Sequence, residues 1–499
     1  MGHPGIRALA CAVSFCGVSC QEAAAQIVRT LWGPPLAISS GRLGVWNPAI
    51  ARDGAGDVTA AWVQKTALSV DGFGLATLPI GAKRWMPAIT VDDKNGGGYP
   101  SRPAIVRTQG RIILAWNYQG TRAAHNRLIA AIVRPGPPLA GTLRILSPLA
   151  QNFASHPPAM IRDSEGDTFV AWVQQGRAQS SQTIFAAIQP KGTTDWQGPF
   201  RVARPARTIS GVTLVSGAKG LVYAIWPQRS RRYVSIKAVI LHPDGTRDAR
   251  AETIMRTPAS HSLFHVTSAV GSDGRIVVAW GTYDPRFGRN LIMAARYEEK
   301  AASWSPPVII SSRRQGNARH PVAAANMEGT ILVAWRQHRA QGGAIDAAFL
   351  PSGHRAWRRP EQVVAPRSEK ARPGRPALTT DSAGDFIMAW RQFIGGQTPI
   401  DASVRQTTTK RWTPPIMVND PSIGENTALR DIPSLLKKRL IALYGAPAGP
   451  RVSNPVLSGG TRGPVIAVWS QGNSQYTAIY ASRYPTPMAI PRRTPSAAR

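Results

Sequence analysis

Cysteine is nearly absent: the 499-residue chain has three, Cys11, Cys16 and Cys20, all inside the first twenty positions. That segment reads as an export signal. "MGHPGIR" carries one arginine, "ALACAVSFCGVSC" is an apolar run of small residues, and Ala23 and Ala25 occupy the small-residue positions of a signal-peptidase site. Residues 1–25 are therefore expected to be a signal peptide cleaved after Ala25, with a secreted or periplasmic destination. A lipidated Cys20 in "GVSC" is the alternative, although Gly17 stands where a bulky aliphatic residue is usual. Past Ala25 there is no cysteine, which excludes a disulfide, a thiolate nucleophile and a cysteine metal site.

Carboxylates are also scarce. Sixty lysines and arginines face 27 aspartates and glutamates, a formal charge of +33. Such a field attracts anionic polymers and surfaces; a carboxylate-poor chain equally suits an acidic medium. The basic residues are scattered ("RSRRY", "SSRRQGNARH", "HRAWRRPE") rather than gathered in a tail. Export makes nucleic acid a poor partner despite the charge. No stretch beyond the leader is long and apolar enough to suggest a transmembrane helix. The nine histidines form no H-E-x-x-H spacing, and the Asp-x-x-Gly turns lack the oxygen ligands of a calcium loop, so no metal and no cofactor are expected.

Aromatic residues make up only 7%, yet tryptophan, at 15, outnumbers phenylalanine and tyrosine. Its placement is periodic. "DSEGDTFVAWVQQG" at 163–176 returns as "DSAGDFIMAWRQF" at 381–393, and alignment on the tryptophan gives Trp62, Trp116, Trp172, Trp226, Trp280, Trp335, Trp390 and Trp469. The first seven are 54 to 56 residues apart, and a glycine stands six residues before each of the eight, from Gly56 to Gly463. A glycine there, often with aspartate three residues earlier (Asp53, Asp163, Asp381), reads as the tip of a tight hairpin. The strand before it is short ("PAIARD", "PALTTD"); the strand after it is apolar nearly throughout ("VTAAW", "IVVAW"), as for a strand packed on both faces. A third strand ("TIFAAIQ", "AIDAAFL") and a fourth, after a second tryptophan ("WQGPFRV", "WTPPIMV"), complete the unit.

Four antiparallel strands in about 55 residues, with no helical period between them, predict an all-β fold: an eight-bladed β-propeller of four-stranded antiparallel blades spanning 26–484. The last repeat ends at "YTAIYASRYP" without a fourth strand, whereas "LWGPPLAIS" near the start supplies one, so an N-terminal strand should complete the last blade and close the ring. The interval from Trp390 to Trp469 is 79 residues; residues 421–452 are read as an insertion before the last blade, and the Pro/Arg-rich tail 485–499 as disordered.

In a propeller the first strand of each blade lines the central channel, and binding sites collect at the mouth where that strand begins. The residue before the position of Pro48 is, blade by blade, Asn47, Arg102, Pro157, Gly211, His265, His320, Arg375 and Asn454, with His156 and Arg319 beside them. This ring is polar and cationic and contains no carboxylate. The candidate ligand-binding residues are thus Asn47, Arg102, His156, His265, Arg319, His320, Arg375 and Asn454, since guanidinium and amide groups suit carboxylate, sulfate and hydroxyl groups. Glutamine stands two residues past the hairpin tryptophan in six blades (Gln64, Gln174, Gln228, Gln337, Gln392, Gln471), with Tyr118 and Thr282 as exceptions. Its expected role is to satisfy backbone groups between blades. The repeated tryptophans are expected to pack between blades.

The turns "GTTDWQGPFRV", "GHRAWRRPEQV" and "GAKRWMPAITV" resemble the tryptophan-bearing turn of bacterial neuraminidase (BNR) repeats in sialidase-like propellers. Those repeats follow S-x-D-x-G-x-x-W; here the glycine is four residues before the tryptophan and the aspartate of the motif is missing, and the blades number eight against six. The resemblance implies an arginine triad gripping a carboxylate, which Arg102, Arg319 and Arg375 could imitate. The family's aspartic acid and tyrosine–glutamate nucleophile have no counterpart by motif. An eight-bladed exported propeller also resembles quinoprotein dehydrogenases, but the glycine spacing of their repeat differs and pyrroloquinoline quinone is set aside.

The sequence therefore favours an exported, monomeric, non-enzymatic propeller that binds an anionic glycan or envelope polymer at the channel mouth. A sialidase-like glycosidase or a lyase acting on acidic sugars is the alternative, with Asp284 and Tyr283, or Glu425 and Tyr444, as the nearest acid and phenol. An envelope protein–protein scaffold is the third reading.

Overall fold

In the computed structural model the described residues are 32–39, 44–65, 71–91, 98–108, 110–120, 127–134, 141–147, 156–175, 181–248, 250–298, 301–314, 316–365, 371–394, 397–423, 451–473 and 477–484. They form eight antiparallel sheets of four or five strands and no α-helix. This is the eight-bladed propeller the repeat predicts. The expected signal peptide 1–25, the tail 485–499 and most of the expected insertion (424–450, including Glu425 and Tyr444) lie outside the described residues.

The innermost strands, in chain order, are Val45–Arg52; Gly98–Pro100 with Ala104–Thr108; Ala159–Arg162; Thr208–Ile209 with Thr213–Ser216; Ser262–Val270; Asn317–Ala325; Arg372–Thr380; and Arg451–Val452 with Val456–Ser458. Each pairs with the apolar strand that carries the repeated tryptophan. That second strand is buried on both faces: in Val58–Lys65 only the terminal lysine is exposed.

The hairpin between first and second strands is built as the glycine pattern requires. All eight glycines have positive φ, from 69° at Gly220 to 107° at Gly166, a region where a Cβ is strained. In the first blade Asp53 holds the turn with one oxygen, which accepts from the backbone N–H of Ala55, Gly56 and Asp57, each at 3.0 Å. The other oxygen reaches the next blade: Arg107 donates to Asp53 Oδ2 at 3.0 Å, to Asp57 Oδ2 at 2.7 Å and to Thr59 Oγ1 at 2.7 Å. Arg107 and Asp53 are both almost fully buried. The turn of one blade is thereby tied to the inner strand of its neighbour.

The core is a series of layers between adjacent blades. Trp116 of the second blade packs with Ala61, Val63 and Leu75 of the first, its ring 4.7 Å from that of Phe73; Trp469 of the last packs on Ile387 and Ala389 of the seventh. All eight repeated tryptophans are at most 1% exposed, as expected for inter-blade packing. The ring closes as predicted. Leu36 and Ala37 pair with Ala481 and Tyr480, flanked by Gly33 N–H to Arg483 O and Ile38 N–H to Ile479 O, both 2.8 Å, and the Trp32 and Tyr484 rings meet at a tilt with centroids 5.4 Å apart.

Candidate functional site

The inner strands do not run straight to the mouth. In seven blades the inner strand carries one residue more than its partner, at the level of the repeated tryptophan: Asn47 and Pro48 oppose Trp62, His265 and Val266 oppose Trp280, and His320 and Pro321 oppose Trp335. In the seventh blade the surplus is at Gly374 and Arg375; in blades 2, 4 and 8 the strand breaks around Arg102, Gly211 and Asn454. A bulge of this kind takes a residue out of the ladder and re-aims its side chain. Asn47, His265 and His320 accordingly sit at φ of 53°, 52° and 57°, uncommon for residues other than glycine.

These interruptions place the predicted ring on a central channel of about 1110 Å³. Asn47, Arg102, Pro157, His265, His320, Arg375 and Asn454 all line it; Gly211 does not. No aspartate or glutamate is among the described residues that line it. His156 lies just behind the wall, near Gly211, with its carbonyl accepting from Asn117 Nδ2 at 2.5 Å. Arg319 is displaced from the channel into a side pocket, where Nε and Nη2 lie 2.9 and 3.0 Å from the Asn290 side-chain amide, which accepts from both when it is turned so that its oxygen faces them.

Electrostatics follow from crowding cations against a partly dry wall. Burial, and then the neighbouring Arg375, holds the Arg102 guanidinium below its usual value. His265 and His320 face each other with ring centroids 4.2 Å apart. Burial, then Arg375, Arg319 and His156, pushes His265 down to about 4. Burial, then His265, Arg375, Arg336 and Arg319, takes His320 to about 3. Both imidazoles are therefore neutral at pH 7. His320 Nδ1 and Asn454 Oδ1 are buried without a hydrogen-bond partner.

Asp284 and Tyr283 do not supply an acid and a phenol to this channel. They end the second strand of the fifth blade, and neither lines the channel. The buried Asp284 carboxylate accepts from Arg286 Nη2 at 2.7 Å and has His261 Nε2 at 3.5 Å; the bond from Arg286 holds it below the usual carboxylate range.

No family model matches the sequence, nor does any curated protein. Among solved structures the chain is similar to a PL25 polysaccharide lyase, an ulvan lyase (11% identity, TM-score 0.48, covering 78% of this chain and 94% of that one). It is also similar to the polysaccharide lyase Uly1 (7% identity, TM-score 0.47, 79% and 91%) and to the NanB sialidase of Streptococcus pneumoniae (10%, 0.39, 73% and 68%). The likeness is one of fold.

The glutamines also have a local role, besides the one expected. In all six blades that have one, the tryptophan indole N–H donates to the glutamine Oε1 two residues on, at 3.0 to 3.3 Å. Residues i and i+2 share a strand face, so the pair is local to its strand and not a bridge between blades. Gln471 also makes the backbone contacts expected, donating to Asp420 O and Ile423 O beyond the end of the preceding blade. The reading by shared positions also missed Arg336 and Arg391, which follow the tryptophan in only two blades, and Arg372; all three stand beside the channel at blades 6 and 7.

Proposed function

We propose that this protein is an exported binding propeller that recognises an acidic glycan at the channel mouth. The observation that supports it is the channel wall itself: Arg102, His265, His320 and Arg375 converge there from four blades, with no carboxylate among the described lining residues. Guanidinium forks pair with carboxylate and sulfate oxygens, while Asn47 and Asn454 offer donors and acceptors for hydroxyls. Residues 1–25 would direct export, and the mature chain would act as a monomer.

The test is retention of the mature protein on neutral and acidic glycans at low and near-physiological salt. Salt-weakened binding to acidic glycans, lost in the Arg102→Ala/Arg375→Ala variant, is the expected result. Salt-independent binding, or equal retention by the variant, would sink the reading.

A lyase is the second reading, and the neutral His265–His320 pair beside Arg375 is what favours it. Elimination from a uronic acid needs a cation on the carboxylate and a neutral base to take the adjacent carbon-bound proton; the glycosidic C–O bond then breaks and the leaving oxygen gains a proton. Ultraviolet absorbance of an unsaturated sugar end, released during incubation, would move the assignment from binder to lyase. Hydrolysis has less support, because it ordinarily needs carboxylates and none of the described residues brings one to the wall.

A further inference from the structure

Two smaller cavities adjoin the channel on one side. One, of about 330 Å³, shares His320, Arg375 and Asn454 with the channel wall and extends past Arg336, Arg372 and Arg391 to the exposed ring of Phe393. The other, of about 250 Å³, shares Arg336 and Arg372 with the first and is completed by Asn317, Arg319 and His338. Among the described residues neither is lined by a carboxylate.

Three guanidinium groups thus surround one small pocket with no counter-charge among the described residues of its wall. Arg336 is half-buried, and burial, then Arg319, then Arg372, holds it below the usual guanidinium range. Mutual repulsion of this kind costs stability until an anion occupies the space between the cations. A planar carboxylate, with two oxygens, is matched by a single guanidinium fork. Three forks suit a group with three acceptor oxygens. Arg319 is already oriented by Asn290, so part of the ordering cost is met before any ligand arrives.

We propose that this side pocket is a separate site for a tetrahedral oxyanion, a sulfate or phosphate ester on the bound sugar chain, held by Arg319, Arg336 and Arg372. The chain would pass from the channel axis outward over blades 6 and 7. The identity of the carrier rests on the glycan reading; the pocket's preference for the anion does not.

The experiment is thermal unfolding of the full chain in sulfate, phosphate, acetate and chloride at matched ionic strength, for the wild type, Arg336→Gln/Arg372→Gln and the milder Arg372→Gln alone. Sulfate and phosphate should raise the wild-type Tm with a saturable dependence that acetate does not reproduce. In the double variant the apparent sulfate affinity should fall about tenfold or more, as expected on losing two charge-assisted partners, and its Tm in chloride should rise because the repulsion is relieved. Equal effects of acetate and sulfate, or a sulfate response that survives in both variants, would overturn the site. A second arm compares sulfated, phosphorylated and de-esterified forms of one acidic glycan: an ester-dependent gain in the wild type alone supports the site and tells the two esters apart. If inorganic sulfate behaves as expected but no glycan binds, the pocket stands and the glycan reading falls. If glycans bind equally with and without esters and sulfate has no effect, the reverse holds.

Discussion

Trp280 points its indole N–H at no acceptor, because Thr282 stands two residues on where six other blades place glutamine. Trp116, followed by Tyr118, has the same deficit. A buried donor left unmade costs about 1–3 kcal/mol. The pair at Trp335 and Gln337, 3.0 Å apart, shows what the other blades gain. Gln337→Met keeps the side-chain length and removes the acceptor. It is expected to lower unfolding free energy by about 1–3 kcal/mol with an unchanged denaturant slope; an unaltered midpoint would show that the pair contributes nothing.

Arg107 ties two blades through Asp53 and Asp57 in a nearly dry site. Arg107→Met should cost about 3–5 kcal/mol at neutral pH, most of it from leaving Asp53 buried without its cation. Chemical denaturation of the double variant Arg107→Met/Asp53→Asn checks the cause, since removing both charges should restore part of the loss.

The two neighbouring histidines give stability a signed pH dependence. Their imidazoles titrate near 4 and 3 in the folded protein, below the usual 6.5. Between those limits the unfolded chain holds more protons, so the stability present above pH 6.5 falls as pH is lowered and levels off once the folded imidazoles protonate. His265→Asn/His320→Asn suits the left-handed backbone at both positions. The difference in unfolding free energy, wild type minus variant, should shrink from pH 6.5 to about 3; a flat difference would contradict the assignment.

Closure of the ring depends on the strand that begins at Leu36. A chain that starts at Gly44 leaves Thr477–Tyr484 as an unpaired edge and loses the hydrogen bonds to Ile479 and Arg483. Such an edge pairs with other chains. Light scattering should show association of the truncated protein, against a monodisperse full-length chain; a truncated monomer of equal Tm would show that closure adds nothing.

The features legible in the sequence were those every blade needs in the same place. Gly56 and its seven counterparts report a backbone conformation, and the eight tryptophans report packing, so their period announces the fold. The channel ring followed from the same register, and only Gly211, His156 and Arg319 fall away from the wall, Gly211 for want of a side chain to project. What the register could not reveal was contact across blades. His265 and His320 are 55 positions apart in sequence and 4.2 Å apart in space, and Arg319, Arg336 and Arg372 meet only because blades 6 and 7 are neighbours. The tryptophan–glutamine pair was within reach, since strand alternation puts both side chains on one face.

The surplus residue in the inner strand separates two duties that a straight strand would combine. Pairing and packing are carried by the residues on either side, and the side chain at the bulge is relieved of both. Asn47, Arg102, His265, Arg375 and Asn454 therefore occupy positions that can change without rewriting the blade beneath them. Seven of the eight blades contribute one character each to the mouth, and a duplicated, uniform scaffold can in this way spell a ligand preference that is not uniform at all.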